Sequence, residues 1–320
     1  MTGIPSRSAL TAAAAVGAIG VGAAVGAIGV GAAVWGIGVE RYLFTLREHT
    51  LPILPAGARQ LRVLHLSDAH MAPWQHRKQE WIARLAELEP DLVVNTGDNL
   101  GHAEGLAGIR HAFAGLRGVP GVYVHGSNDL YAPSPRNPLR YFTGPSKAHR
   151  SAGSLDTGAL DRFLTDELGW HALDNTATTL EVAGLRVDAF GVNDAHRRWD
   201  DTAALIPKRA EQRAAGGADL VLGVTHAPYR RVLDAFVDLD ADLLLAGHTH
   251  GGQVRIPFSP SALVANCDIP LDQARGLSTW THGGRRAPLN VSAGIGHSIF
   301  APVRFGCRPE ASLLTLVPVA

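Results

Sequence analysis

Cysteine is scarce in this 320-residue chain, which contains only Cys267 and Cys307. Two cysteines exclude a small fold held together by several disulfides, and they exclude a zinc site built mainly from thiolates. Two possibilities remain open: one disulfide bridge if the domain is exported, or two free thiols if it is not. A metal site in this chain therefore has to rely on other ligand types.

An excess of positive charge is also absent. The chain has 29 lysine and arginine residues and 29 aspartate and glutamate residues, so its formal net charge is zero with histidine neutral. A broad basic face, which sequence-independent binding of nucleic acid requires, is not expected from this balance, and we predict no nucleic-acid partner. Hydrophobic residues make up 46% of the chain, enough for a sizeable core. The sequence specifies no oligomeric state.

The first forty residues almost lack polar side chains. Between Ala9 and Val39 the only polar residue is Thr11. At about 1.5 Å per residue, a helix of this length exceeds the roughly 30 Å hydrocarbon core of a bilayer. We therefore expect residues 1–45 to form an N-terminal transmembrane anchor for a domain over residues 55–320, with a cleaved signal segment as the alternative. The flanking arginines are too few to assign the side of the membrane.

Five short apolar runs in the domain end in glycine, aspartate or histidine. They cover residues 61–66, 91–98, 119–124, 219–226 and 242–248. Most of them lack alternation between apolar and polar residues, which is typical of strands buried on both faces of a sheet. Ligands of such sheets bind beyond the carboxyl ends of the strands, where these polar residues lie.

Helical patterns separate several of these runs. Residues 78–88 and 157–168 have apolar residues at helical spacing, and residues 178–183 and 185–190 flank Gly184 as a hairpin would. Residues 311–319 are a further strand, and residues 131–156 are predicted to form a long surface loop over the site. The pattern indicates an α/β fold with two facing mixed β-sheets flanked by helices.

Polar residues at the ends of the apolar runs have the chemistry of metal ligands. In extended backbone, residues i and i+2 point the same way, so the pairs at 68/70 and 248/250 can each aim at one point. Imidazoles, carboxylates and one carboxamide suit Mn, Zn or Fe better than Ca or Mg. Seven ligands suit two ions about 3.5–4 Å apart rather than one. The candidate ligands are Asp68, His70, Asp98, Asn128, His226, His248 and His250.

Five short motifs resemble the conserved blocks of calcineurin-like metallophosphoesterases. They read DAH at 68–70, GDN at 97–99, GSND at 126–129, TH at 225–226 and GHTHGG at 247–252. Together with the N-terminal apolar segment, the last block is similar to that of the bacterial membrane-associated phosphodiesterase-like branch. The resemblance implies a four-layer sandwich and two divalent metal ions.

The same resemblance implies a role for each candidate ligand. Asp68, His70 and His250 would hold one ion, and Asp98 would bridge both. His226 and His248 would hold the second ion, together with an amide from the third block.

The third block departs from the family pattern, which reads Gly-Asn-His followed by Asp or Glu. Here Ser127 occupies the slot of the metal-binding asparagine, and Asn128 occupies the slot of a histidine that assists catalysis. Either Asn128 reaches the metal after a one-residue backbone adjustment, or Ser127 or water completes the ligand set. We favour Asn128, because a carboxamide is the better oxygen donor. The usual general acid is then missing; candidate substitutes are His102, His125 and His196, and the loop of Asp194 and His196 is the better candidate for lining the pocket.

The predicted activity is dinuclear metal-dependent hydrolysis of a phosphodiester or phosphomonoester, with a lipid or cell-envelope substrate as one possibility. Asp98 and Asn128 are the expected catalytic residues, and no substrate-binding residue is assigned. The alternative is a catalytically weak or inactive metal-binding membrane protein of the same fold that recognises phosphorylated ligands. The altered third block is the feature that favours this alternative.

Overall fold

The computed structural model describes residues 26–27, 29–135 and 153–319. Most of the predicted transmembrane segment and much of the predicted loop at 131–156 lie outside the described residues. Within the described ranges, no helix is both long and apolar enough to cross a bilayer. Cys267 and Cys307 are both free thiols, which is the second of the two possibilities left open by the sequence.

The strands form two mixed six-stranded sheets. In chain order they are β1 (Thr45–Leu54), β2 (Leu61–Leu66), β3 (Leu92–Asn95), β4 (Gly121–Tyr123), β5 (His171–Ala172), β6 (Thr176–Val182), β7 (Leu185–Val192), β8 (Leu220–Thr225), β9 (Leu243–Ala246), β10 (Gly276–His282), β11 (Arg285–Val291) and β12 (Glu310–Pro318). The first sheet has the order β1-β12-β2-β3-β4-β5, and the second has the order β10-β11-β9-β8-β7-β6. Parallel pairs dominate both sheets, and the antiparallel pairs are β2/β12, β6/β7 and β10/β11.

Helices follow many of the strands. The α-helices are α1 (His76–Ala83), α2 (Gly105–Phe113), α3 (Ser127–Leu130), α4 (Thr157–Arg162), α5 (Leu205–Ala214) and α6 (Arg230–Asp238). Single 3₁₀ turns lie at Glu40–Tyr42, Arg84–Leu88, Ala114–Leu116, Ala195–Arg197, His250–Gly252 and Leu271–Gln273, and a π-helical turn spans Phe163–Glu167. Residues 29–38 are also helical.

Strand β2 shows how the layers are built. Leu61 and Val63 belong to the apolar cluster between the two sheets, whereas Leu64 and Leu66 belong to the cluster under α1, α2 and α4. A third cluster packs α5 and α6 on the outer face of the second sheet. Successive side chains of a strand point to opposite faces, so apolar runs without alternation serve two cores at once. The predicted α/β fold with two facing mixed sheets and flanking helices is confirmed.

The sequence analysis missed β1, β5, β10 and β11. β1 and β10 are the edge strands of their sheets, and their exposed faces carry polar residues. β1 and β11 also contain Pro52 and Pro288, which weaken a strand assignment. The predicted helix at 78–88 is α1 followed by a 3₁₀ turn, and the predicted hairpin around Gly184 is confirmed as β6 and β7.

Candidate metal centre

The seven candidate ligands lie at one edge of the molecule, where the carboxyl ends of strands from both sheets meet. Asp68 and His70 follow β2, Asp98 follows β3, and Asn128 is in α3 just after β4; His226 follows β8, and His248 and His250 follow β9. Each sheet therefore contributes part of the site, and the facing arrangement of the sheets brings the two parts together.

Backbone turns, rather than extended chain, aim these side chains. The angle φ is 50° at Asp68, 40° at His70, 54° at Asp98, 67° at His248 and 49° at His250. The expectation that extended backbone points residues i and i+2 together is therefore wrong for both pairs. A left-handed non-glycine residue costs on the order of 1–3 kcal/mol, so the surrounding contacts must hold each turn in place.

Two glycines permit the close approach of these loops. A Cβ at Gly247 would overlap Ser67 Oγ and press on the carboxylate of Asp68, and a Cβ at Gly126 would overlap Oδ1 of Asp98. Any larger residue at either position would push a carboxylate out of the site.

The first group of ligand atoms consists of Asp68, His70 and His250, whose donor atoms lie within 4.8 Å of one another. The Nε2 atoms of His70 and His250 are 3.1 Å apart, and Oδ1 of Asp68 is 3.8 Å from the first and 3.6 Å from the second. This is the set that the sequence assigned to one ion.

The second group consists of Asp68, Asp98 and His226, also within 4.8 Å of one another. Oδ2 of Asp98 is 3.5 Å from Nε2 of His226 and 3.5 Å from Nε2 of His70. Asp98 therefore stands between the two groups, as a bridging ligand would. Asp68 belongs to both groups, which the sequence did not predict.

His248 adjoins the second group from the side. Its Nδ1 is 3.3 Å from Nε2 of His226, and its Nε2 is 3.2 Å from the backbone oxygen of Asn266. The side-chain amide of Asn266 also lies 3.2 Å from the same Nε2. Nδ1 is therefore the atom that His248 presents to the site. Nothing in the sequence pattern points to Asn266.

The backbone and side chain of Asn128, rather than those of Ser127, contact the carboxylate of Asp98. Its backbone N–H donates to Oδ1 of Asp98 at 2.8 Å, and its Nδ2 donates to Oδ2 at 2.6 Å. A half-turn of the carboxamide would put Oδ1 where Nδ2 lies, because the two ends of the group have the same shape. The backbone N–H of Ser127 donates instead to Asp194 at 3.1 Å.

Two buried basic side chains hold the loops of the first group. Lys78 Nζ donates to the backbone oxygen of Ala69 at 2.5 Å and to that of His70 at 3.3 Å. Arg304 donates to the backbone oxygen of His250 at 3.0 Å, and its guanidinium also lies 3.2 Å from Nδ1 of that histidine. Neither residue belongs to a recognisable motif, so sequence analysis missed both.

Asp129 holds the loops of the second group. Its carboxylate accepts hydrogen bonds from the backbone N–H groups of Asp98 at 2.8 Å, Asn99 at 2.6 Å, Leu100 at 3.1 Å and Gly126 at 3.1 Å. Burial raises its pKa to about 6. The fourth position of the GSND block therefore fastens the third block to the second.

The protonation of the site fits a cation-binding role. Burial lowers the pKa of His250 to about 3, although Asp68 opposes that shift. Burial also favours the neutral form of His226, but Asp98 raises its pKa well above the ordinary value. Oδ1 of Asp68 is buried and accepts no hydrogen bond from the described residues. The neutral imidazole has a free lone pair, and a divalent cation would replace the proton on His226.

The comparisons with known proteins agree with this geometry. The family described as calcineurin-like phosphoesterase matches residues 61–252, which is more than half of the chain. The chain belongs to the calcineurin-like phosphoesterase family.

Similar proteins span most of this phosphoesterase. The protein described as uncharacterized metallophosphoesterase YkoQ of Bacillus subtilis (strain 168) is 27% identical over 263 residues, which is 81% of this chain and 84% of that protein. Phosphodiesterase YaeI of Escherichia coli (strain K12) is 25% identical over 285 residues, which is 86% of this chain and 88% of that protein. The crystal structure of a 5'-nucleotidase precursor from Thermus thermophilus matches with a TM-score of 0.45 at 14% identity, over 80% of this chain and 55% of that chain.

The three candidate general acids of this metallophosphoesterase lie in different surroundings. His125 pairs with two carboxylates: its Nδ1 is 2.6 Å from Oδ2 of Asp174, and its Nε2 is 2.9 Å from Oδ1 of Asp161. Both ring nitrogens therefore face carboxylates rather than a substrate. His102 packs edge-on against Trp74, with ring centroids 5.1 Å apart. His196 lines the cavity, with its ring centroid 4.4 Å from that of His248.

A cavity of about 220 Å³ opens beside the two groups of ligands. Asp98, Asn128, His248 and His250, here called the floor, line the cavity together with His196 and Arg197. Five apolar residues, here called the apolar wall, also line the cavity: Val254, Leu263, Val264, Phe300 and Val303. The cavity therefore combines a charged floor with an apolar flank. The expectation that the loop of His196 lines the pocket is confirmed.

Proposed function

We propose that this phosphoesterase hydrolyses phosphodiesters or phosphomonoesters at a dinuclear centre. Asp68, His70 and His250 would hold one ion; His226, His248 and Asn128 would hold the other. Asp98 would bridge both. Imidazole, carboxylate and carboxamide donors suit Mn, Zn or Fe. When bound, two such ions lower the pKa of a shared water and offset negative charge on the phosphoryl oxygens.

One observation carries this proposal: a single oxygen of Asp98 lies 3.5 Å from an imidazole nitrogen of each group. Two neighbouring groups joined by one carboxylate oxygen form a site for two close ions. A structural hydrogen-bond cluster would not need five left-handed residues to be held at one cavity floor.

Residues beyond the ligands are suited to handle the substrate. Arg197 lines the cavity, where its guanidinium can bind a phosphoryl oxygen. His196 lies beside it, with Nδ1 3.0 Å from the hydroxyl of Tyr229. Burial raises the pKa of Tyr229 to about 12, so its hydroxyl stays protonated and can orient the ring of His196. As an imidazolium, with its Nδ1–H donated to the oxygen of Tyr229, His196 would deliver its Nε2 proton to the leaving oxygen and become neutral, in place of the histidine missing from the third block.

We further propose that the N-terminal apolar run anchors the phosphoesterase in a membrane. The run between Ala9 and Val39, with Thr11 as its only polar residue, supports this proposal. Attachment to a membrane favours a lipid or cell-envelope phosphodiester as the substrate. The name of the relative YaeI, a phosphodiesterase, favours a diester.

The test is Asp98→Asn in the full chain. The variant keeps the shape of the side chain but removes the bridging charge, so we expect bound metal to fall from two ions per chain and turnover of bis(4-nitrophenyl) phosphate to fall at least about 10³-fold. Outer contacts to ligands are worth 10–100-fold, and a bridging ligand should exceed that. Metal per chain is measured by elemental analysis alongside turnover.

Asp156→Asn is the matched control, since Asp156 caps helix α4 through Ala159 and an asparagine can accept the same hydrogen bond. It should retain both metal and turnover. Unchanged turnover in Asp98→Asn would reject the proposed mechanism.

A further inference from the structure

Five exposed apolar side chains surround one side of the cavity. They are Val254, Ile256, Phe258, Leu263 and Phe300, here called the apolar rim. Phe258 is fully exposed, and Ile256 is 59% exposed. Val254, Leu263 and Phe300 also line the cavity, whereas Ile256 and Phe258 lie outside it. Soluble proteins rarely expose large apolar groups together, so the rim indicates a contact surface.

Backbone contacts join the rim to the N-terminal helical residues 29–38. Val254 pairs with Phe305 in a parallel bridge, and the side chain of Gln253 donates to the backbone oxygens of Ala301 and Val303 at 2.7 and 3.0 Å. The next residue, Arg304, donates its backbone N–H to the oxygen of Gly36 at 3.1 Å. The rim and the end of the apolar run are therefore parts of one layer of structure.

Gly36 permits this contact. A Cβ at that position would lie 2.9 Å from the backbone oxygen of Arg304 and 3.1 Å from Cγ2 of Val303. Val30, Val34 and Ile37 of the same helical segment are exposed, and the ring of Trp35 is partly exposed. The segment that leads into the apolar run therefore exposes apolar side chains of its own, and Gly36 joins it to the residues next to the rim.

Glu40 fastens the end of this segment to the domain. Its buried carboxylate accepts hydrogen bonds from Trp35 Nε1 at 2.8 Å, from the backbone N–H of Gly306 at 3.0 Å and from that of Cys307 at 2.8 Å. The apolar run is therefore not attached through a loose linker. Its last turns have a fixed position beside the rim.

We propose that the apolar rim docks on the surface of a lipid bilayer, the same bilayer that the N-terminal apolar run enters. The rim and the helical segment both carry exposed apolar side chains, backbone contacts join them, and Glu40 fastens the helical segment to the domain. Apolar side chains at an interface enter the bilayer by about 5–10 Å, which the rim side chains can do without unfolding. The cavity then opens at the membrane surface, with its apolar wall toward the lipid chains. This inference rests on the membrane attachment proposed above.

In the docked orientation, the cavity suits a substrate that carries an acyl chain. A phosphoester carrying an acyl chain can place its phosphate on the charged floor while the chain passes along Val254, Leu263 and Phe300. The product alcohol would leave into the bilayer rather than into water. This assigns the apolar wall as the binding region for the chain of a lipid phosphoester.

The experiment compares two tryptophan variants of the full chain in phosphatidylcholine vesicles. Ile256→Trp reports on the rim, and Ile206→Trp is the control. Ile206 is 60% exposed, which matches Ile256, but it lies on α5 over the second sheet and outside the cavity. Both variants share the background of six native tryptophans. Phe258→Trp serves as a second rim position.

With brominated phosphatidylcholine, we expect the added emission at 256 and 258 to fall at least about twofold, because bromine quenches only tryptophans that reach the acyl region. The emission added at 206 should not change. Equal, unquenched emission at 206, 256 and 258, or failure of the chain to bind vesicles, overturns the docking proposal. A shift of the tryptophan emission at position 256 to shorter wavelength, without lipid and in proportion to protein concentration, also overturns the proposal. In that case a second copy of the chain would cover the rim.

Turnover of bis(4-nitrophenyl) phosphate by the unchanged chain, without vesicles, separates this inference from the proposed function. Quenching without turnover of that diester or of a phosphomonoester would reject hydrolysis but keep the docking surface. Turnover without quenching would reject the docking surface alone.

Discussion

The two halves of the metal centre are held in place by side chains of opposite hydrogen-bonding character, donors in one half and an acceptor in the other. In the half of Asp68, His70 and His250, Lys78 and Arg304 donate to backbone carbonyl oxygens of the ligand loops. In the half of Asp98 and Asn128, the carboxylate of Asp129 accepts from backbone N–H groups instead. Each turn leaves one kind of backbone group unpaired inside the protein, and a buried side chain of the opposite polarity satisfies it.

The ligands of one metal centre therefore depend on two separate sets of supporting side chains. The cationic support comes from α1 and from the segment before β12, while the anionic support comes from the third block itself. The two supports share no residue, so disturbing one half should leave the other half able to bind its ion. The expected effects below test that independence, from the largest to the smallest.

Removal of one ligand from each half tests the comparison most strongly. His250→Ala and His226→Ala should each reduce turnover at least about 10³-fold, because removing a ligand should exceed the 10–100-fold cost of an outer contact. Elemental analysis should find close to one ion per chain in each variant. Loss of both ions from either variant would show that the halves bind metal as one unit.

Neighbouring substitutions in the third block test the second half. Asn128→Ala should lower turnover by more than about 10²-fold, because it removes one ligand and the side-chain contact to Asp98. Ser127→Ala should stay within about twofold, because the contact of Ser127 to Asp194 uses its backbone N–H. The reverse ranking of the two variants would assign the metal to Ser127.

Substitution of the supports should have smaller effects. Arg304→Met should weaken metal binding in the first half by about 10–100-fold, and Asp129→Asn should do the same in the second half. Titration of the metal-free chain, followed by calorimetry, would show one weakened and one unchanged site in each variant. Arg304→Lys should recover part of the binding, since a cation can still reach the carbonyl of His250. Equal weakening of both sites by one variant would remove the distinction between the halves.

The smallest expected effect lies beneath the third block, at His125. Burial opposes its charge, but Asp161 and Asp174 raise its pKa well above the ordinary value of 6.5. A raised folded-state pKa stabilises the fold below pH 6.5 and loses that contribution as the pH rises through the folded value. His125→Gln should therefore lower the free energy of unfolding by about 1–2 kcal/mol at pH 6. The difference in unfolding free energy between the variant and the unchanged chain should become smaller at alkaline pH. Urea unfolding at several pH values measures it, and a constant difference would contradict the ion-pair account.

Much of the site was predictable because its residues follow buried strands. Strands β2, β3, β8 and β9 are mostly apolar and lack alternation, and parallel strands place their carboxyl ends at one edge. The polar residues after them were therefore expected to converge. The edge strand β1 was not predictable, since its polar, proline-containing sequence resembles a loop.

The supports of the site were not predictable from the pattern. Arg304 is distant in sequence from every ligand, and its contact with His250 depends on how the segment before β12 crosses the end of β9. Lys78 is a helical residue whose burial is decided by the loop above it. A side chain that acts through a single long-range contact leaves no local repeat or spacing to detect.

The amino-acid sequence specified which side chains are available for metal binding. It also specified which strand each of these side chains follows. It did so because strand burial and loop chemistry are local properties of the chain. Three relations arise from the tertiary structure alone. Asp68 joins both ligand groups, and Asn128 rather than Ser127 contacts Asp98. Glu40 fixes the apolar segment beside the cavity. Those relations depend on the facing of two sheets and on left-handed turns held by distant residues, and no local pattern encodes them.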